Sequence, residues 1–303
     1  MKKIRILLIT GLFLVFNTVG QNMSNSVKDS DLKIEKKDKK KKKKTKNKLS
    51  NIDLSHWSIT TPALNERGKA TTIEPPEILN YANDERLIPF MYNDSINGGL
   101  VFYAYPSDAT TANTKYSRSE LREQIVPGDN TINWSFAKGG VLKATLAMDE
   151  TSKDNKGKYH RTIILQIHGR LTNEQRDLIG QKDNNAPPIL KIYWDNGKVR
   201  VKSKLLKNLN ASDTEILHED AWDNDKGFNF EQEVGFKKFS IEIQVSQGKM
   251  VIILNGTEYK VYENIHLKRW GIFENYFKVG NYFQSRDIGS FSKVRFYELE
   301  VYH

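Results

Sequence analysis

From about Asn51 onward, apolar residues recur at every second position and not at helical spacing. Phe239-Ser240-Ile241-Glu242-Ile243-Gln244-Val245 alternates without a break, Gln247-Gly248 turns the chain, and Met250 to Leu254 returns. Asn255-Gly256 then predicts a tight hairpin turn into Glu258 to Tyr262, because both residues tolerate the positive φ that such turns require. The same reading gives a hairpin from Ile189 to Trp194, through Asp195-Asn196-Gly197, into Lys198 to Lys204. Further strands are expected at Leu100 to Tyr105, Gly140 to Met148, Thr162 to His168 and Val294 to Val301. Helical signals are confined to Pro75 to Asn80 and Asn173 to Leu178, and no fixed-period repeat is visible. So many hairpins with so little helix predict an all-β domain over residues 51–303, an antiparallel two-sheet β-sandwich or jelly roll.

The start of the chain follows a different pattern. A basic Met1-Lys2-Lys3-Ile4-Arg5 precedes an 11-residue, mainly apolar run from Ile6 to Phe16, and small residues follow at Thr18 and Gly20. That is the order of a secretory signal, so residues 1–20 are expected to be a signal peptide and the protein secreted, either extracellular or periplasmic. The run is shorter than the ~20 residues a membrane-spanning helix needs, so no stable membrane insertion is expected. Residues 21–50 are expected to be a disordered Lys-rich linker, since Lys36 to Lys48 holds 10 Lys in 13 residues and repels itself. A solvated linker is the simpler reading; electrostatic attachment to an anionic polymer is the other.

Locating the charge changes its meaning. The chain carries 47 Lys+Arg and 37 Asp+Glu, a formal net charge of +10. Residues 1–48 hold 15 of those basic and 4 of those acidic residues, which leaves 32 and 33 in the remainder, a net of −1. The basic character belongs to the tail, and a nucleic-acid partner, which wants a basic face on the domain itself, is not expected. Cysteine is absent, which excludes disulfides, thiolate metal sites, a cysteine nucleophile and a lipid anchor on cysteine.

Three segments depart from the usual strand with one apolar and one solvated face. Alternation puts Tyr116, Arg118, Glu120 and Arg122 on one face of the first, and Gln166 and His168 opposite Ile163, Leu165 and Ile167 in the second. The third puts Tyr276, Lys278, Tyr282 and Gln284 opposite Phe277, Val279, Asn281 and Phe283. Singly, each has a plain structural explanation: an ion-paired surface, a lone strand histidine, ordinary solvated side chains. As a set, they present cations, an amide, an imidazole and phenols, a lining suited to a carboxylate-bearing polymer.

The three segments resemble the signature blocks of the polysaccharide lyase family 7 alginate lyases: R-S-E-L-R at Arg118 to Arg122, Q-I-H at Gln166 to His168, and Y-F-K-x-G-x-Y-x-Q at Tyr276 to Gln284. Their order and spacing agree, and the resemblance spans essentially all of 51–303. Val279 stands where the family commonly has Ala. The resemblance implies a jelly roll with substrate lying across a concave sheet, and alginate, an anionic polysaccharide, as the partner. It names Arg118, Gln166, His168 and Tyr282 as catalytic, and Glu120, Arg122, Tyr276, Lys278 and Gln284 as substrate-binding or supporting. No cofactor or metal is implied, and a monomer is expected.

Alginate is a 1,4-linked polymer of mannuronate and guluronate, and a lyase removes the C5 proton and expels the O4 leaving group. The C5 proton lies beside a carboxylate, so its removal accumulates negative charge that donors must neutralise. Arg118 suits that role because its planar fork matches a carboxylate, and the Gln166 amide can donate to the same group. His168 suits a base at neutral pH. Tyr282 suits the acid at O4, and can serve as a base only if neighbouring cations lower its pKa. In guluronate the two leaving positions lie on opposite faces, which fits His168 as base and Tyr282 as acid; in mannuronate they share a face, and Tyr282 could do both. A glycosidase would need two opposed carboxylates, and these faces offer only Glu120, expected to position the arginines.

The six His show no metal-binding spacing, and Asp183-Asn184-Asn185 and Asp223-Asn224-Asp225, which could touch calcium, read more simply as polar loops. The segment Asn173 to Pro188 is expected as a loop that could cover the groove. Q-I-H, with Ile167 facing the core, accompanies guluronate cleavage in the resembling family, so a guluronate preference with internal cutting is expected. A lyase on another polyuronate such as glucuronan, a non-catalytic carbohydrate-binding sandwich and a polyanion-binding structural protein are the alternatives. His168 and Tyr282 together favour an enzyme, since a binder needs neither.

Overall fold

A computed structural model describes residues 49–111 and 114–303. The expected signal segment and the linker up to Lys48 lie outside the described residues. Ser50 already belongs to the fold, since its backbone N–H donates to Asn93 Oδ1 at 2.9 Å.

The chain runs β1 (Trp57–Leu64), β2 (Ala70–Ile73), β3 (Met91–Asn93), β4 (Leu100–Ala104), β5 (Arg118–Glu123), β6 (Trp134–Ser135), β7 (Gly140–Thr151) and β8 (Thr162–Arg170). Helix α1 (Asn173–Leu178) leads into β9 (Asn185–Asp195), β10 (Lys198–Leu206), β11 (Trp222–Asn224) and β12 (Phe228–Glu233). The remaining elements are β13 (Phe239–Ser246), β14 (Lys249–Leu254), β15 (Glu258–Tyr262), α2 (Ile265–Trp270), β16 (Glu274–Phe283) and β17 (Ser292–Tyr302). A ten-stranded antiparallel sheet has the order β11-β10-β9-β8-β16-β5-β1-β2, with β12 also on β10 and β6 on β16. A seven-stranded antiparallel sheet has the order β15-β14-β13-β7-β17-β4-β3. The two pack as a jelly-roll β-sandwich.

The predicted hairpins form for the stated reason: Asn196 and Gly197, and Asn255 and Gly256, all have positive φ. Along β13 and β14 burial alternates residue by residue, as a strand with one core face requires. Inward-facing Trp134, Phe277, Phe296, Leu121 and Ile241 belong to one continuous core between the sheets. The expected helix at Pro75 to Asn80 is a short 3₁₀ turn, Glu77–Asn80. The expected cover over Asn173 to Pro188 is largely ordered secondary structure, α1 followed by the start of β9. A capping box on Thr172 and Gln175 fixes α1, and Gln175 Nε2 donates to the Ile272 carbonyl at 2.9 Å.

Two irregularities set the central strands. The β16–β8 register shifts between Val279 and Tyr282. There Gly280 has φ +138°, and a Cβ would lie 2.6 Å from the Ser119 carbonyl oxygen, so only glycine fits. The β8–β9 register shifts between Ile163 and Leu165. Ile163 therefore sits opposite Tyr282 and Tyr193 and leaves the face of Leu165 and Ile167, where simple alternation had put it. Asn281 is the other exception: its buried amide donates to the carbonyls of Phe102 at 3.0 Å and Ser292 at 2.8 Å, linking the two sheets beside Tyr282.

Candidate active site

The first, second and third sequence segments are β5, β8 and β16, adjacent in the sheet in the order β8-β16-β5. Residues more than a hundred positions apart thereby become neighbours. Arg118 lies opposite Tyr282 and Arg122 opposite Lys278, and Lys278 lies opposite Gln166 and Tyr276 opposite His168.

Glu120 organises this face. It is 1% exposed, and Arg118, Gln166 and Lys278 around it are 5%, 2% and 9% exposed. Glu120 accepts from Arg118 Nη1 at 2.9 Å, Gln166 Nε2 at 2.6 Å and Lys278 Nζ at 2.5 Å. Burial alone would raise the Glu120 pKa, but Lys278, Arg118 and these hydrogen bonds hold it below the ordinary carboxylate value. It is a fixed anion that aims three donors. Arg118 retains a buried Nη2 with no partner among the described residues, and its guanidinium lies 3.8 Å from the centre of the Tyr282 ring.

His168 stacks on Tyr276 with ring centres 5.2 Å apart, and Arg122 covers Tyr276 at 4.2 Å. His168 Nδ1 is 3.0 Å from the Gly169 carbonyl oxygen. A carbonyl can only accept, so Nδ1 carries the proton and Nε2 keeps its lone pair. Burial, aided by Lys278 and Arg118, pulls the His168 pKa down to about 3. Tyr282 moves the other way: burial raises its pKa and outweighs the pull of Arg118. A neutral imidazole and a protonated phenol are thus set on one sheet face, a base and an acid. The base role for Tyr282 loses support in the free protein, because the cations do not lower its pKa overall.

Arg118, Arg122, His168, Tyr276 and Lys278 line a cleft of about 480 Å³. Its walls include Thr60, Asn130, Thr131 and Asp183 to Asn185. Gln284 lies past the end of β16 and its amide donates to the Tyr282 carbonyl at 3.1 Å; Gln166, Tyr282 and Gln284 flank the cleft's lining residues on β8 and β16. Tyr116 packs edge-on against Tyr282 at 6.3 Å. A second cleft, about 520 Å³, lies between residues 51–57 and 299–303. Its buried carboxylate, Glu123, is already engaged by His303 at 2.7 Å and Trp134 at 3.0 Å.

A family model described as alginate lyase, Alginate_lyase2, matches residues 52–303. The chain belongs to this alginate lyase family. An alginate lyase of Klebsiella pneumoniae is 34% identical over 140 residues, which span 38% of this chain and 44% of that protein. Among solved structures, alginate lyase A1-II', a member of polysaccharide lyase family 7, is similar at 25% identity with a TM-score of 0.65, covering 84% of this chain and 96% of that one. A double variant of A1-II', solved in complex with substrate GGMG, matches with the same identity and TM-score over 84% of this chain and 94% of that one. The family's two-sheet architecture is the one described above.

The cleft makes a pH prediction for this family member. An imidazole must be neutral to accept a proton, and His168 stays neutral until pH falls to about 3. At the alkaline end, burial and Arg118 outweigh Glu120 and bring Lys278 to about 8, above which a cation of the site is lost. The pH profile of kcat/KM should therefore stay flat through 6.5 and fall above about 8. An acid limb centred on 6.5 would mean that His168 titrates as an exposed imidazole does.

Proposed function

We propose that the domain depolymerises alginate by β-elimination, giving oligosaccharides with an unsaturated end. The observation that carries this reading is the Glu120 cluster, which aims Arg118, Gln166 and Lys278 beside a neutral His168 and a protonated Tyr282. Arg118 and Gln166 neutralise the uronate carboxylate, His168 Nε2 takes the C5 proton, and Tyr282 delivers a proton to O4 as the glycosidic bond breaks. Charge that develops on the carboxylate meets donors already in place, so little reorganisation is needed at the moment of reaction.

Separate acid and base suit the geometry of guluronate, and variants of A1-II' are solved with product GGG and with substrate GGMG. Internal cutting is proposed as well, and the signal-like N-terminus supports secretion. Initial rates of new ultraviolet absorbance at matched uronate concentration should rank polyguluronate and mixed blocks above polymannuronate. Faster cleavage of polymannuronate would overturn the preference, and activity confined to glucuronan would overturn alginate as the substrate.

A further inference from the structure

The row that holds Arg122, Lys278 and Gln166 does not stop at β8. Gln166 lies opposite Lys191 on β9, and Lys191 lies opposite Lys202 on β10. Facing residues of antiparallel strands share a sheet face, and adjacent strands are about 4.8 Å apart. Five consecutive strands thus present Arg122, Lys278, Gln166, Lys191 and Lys202 in one line across the sheet. Lys191 and Lys202 are half-buried, and neither makes an ion pair among the described residues. Burial, then Lys204 and Lys202, pull the Lys191 ammonium down to about 8, with Glu219 the acidic group that opposes them. Like charges crowded together, with Glu219 near but not ion-paired to Lys191 or Lys202, carry an electrostatic cost that an anion would relieve.

The opposite side of the reacting residues is different. Ser58 on β1 lies opposite Arg122, and Thr60 opposite Glu120. Thr60 in turn lies opposite Thr72 on β2, and their hydroxyls are 3.3 Å apart. This side offers hydroxyls where the other offers ammonium groups.

We propose that Lys191 and Lys202 form a carboxylate-binding arm of the groove on β9 and β10, so that the polyuronate is gripped mainly by charge on that side and by neutral hydrogen bonds on β1 and β2. The arm extends the alginate reading above and rests on it. It makes Lys191 and Lys202 determinants of affinity for long, fully charged chains, with the chemistry left to Arg118, Gln166, His168 and Tyr282.

The test is steady-state kinetics of the whole domain on polyguluronate and on its trisaccharide, at several salt concentrations. In Lys191→Met/Lys202→Met, KM for the polymer should rise roughly 10–100-fold, with kcat within a few-fold of the parent and a shallower dependence of kcat/KM on salt. Lys191→Arg/Lys202→Arg should restore most of the lost affinity. Thr60→Val/Thr72→Val should raise polymer KM by much less. An unchanged polymer KM and salt dependence in the methionine variant, or an equal loss in the threonine variant, would overturn the arm. A parent protein inactive on every alginate block would instead overturn the reading on which the arm rests.

Discussion

Tyr282→Phe should lower kcat by about 10²–10⁴-fold on every alginate block, the range of a lost general acid. Only the hydroxyl is removed. The ring stays beneath the Arg118 guanidinium, 3.8 Å away, and against Tyr116, so the fold should persist and the thermal midpoint should stay near that of the parent. With no proton donor at O4, the leaving group must depart as an alkoxide: Lys278 is held by Glu120, and His168 is the proposed base. Steady-state kinetics with a parallel thermal melt separates the two effects. Parent-like turnover would remove Tyr282 as the acid.

Glu120→Ala should act first on stability. It removes the anion that Arg118, Gln166 and Lys278 share and strands two buried cations beside each other. Breaking a buried pair from one side costs about 3–5 kcal/mol, which for a domain of this size corresponds to a fall in Tm of roughly 6–20 °C. Glu120→Gln keeps an acceptor without the charge and should fall between. Activity should drop in both, because the donors lose the group that aims them. A Glu120→Ala domain as stable as the parent would show that Glu120 is an ordinary surface charge.

Most of the strands were legible because period two is a local property. Phe239 to Val245 and Met250 to Leu254 needed only their own alternation, and the hairpins only Asn and Gly at positive φ. The grouping of Arg118, Gln166, His168 and Tyr282 came from matching three blocks as a set, since no local pattern shows that β5, β16 and β8 are adjacent. Ile163 was misplaced because a bulge inserts one residue and reverses parity beyond it, and the Gly280 irregularity in the neighbouring strand is decided by how closely the Ser119 backbone approaches. Asn281 did leave a sign, a single amide in an otherwise apolar face; its use as a tie between sheets depends on Phe102 and Ser292, far away in the chain.

Lys202 lies on β10, which reads as an ordinary solvated strand with basic residues at alternate positions, and Lys191 is a single cation in the mainly apolar β9. Only the sheet order places them in line with Gln166. The role of Glu120 was half legible: the spacing Arg-x-Glu-x-Arg suggested a positioner of arginines, whereas Lys278 and Gln166 join Arg118 as its partners through the ladder. Arg122 turns elsewhere, donating to Asn133 Oδ1 at 2.8 Å and covering Tyr276.

The most direct test of the central claim is the mass of the products formed from alginate in water enriched in heavy oxygen. Elimination breaks the C4–O4 bond without adding water, so each new end should be unsaturated, lighter by one water than a saturated oligosaccharide of the same length, and free of the heavy isotope at the cleaved bond. Products that carry a full water with the heavy oxygen incorporated, or alginate that remains uncut by the parent domain, would contradict it.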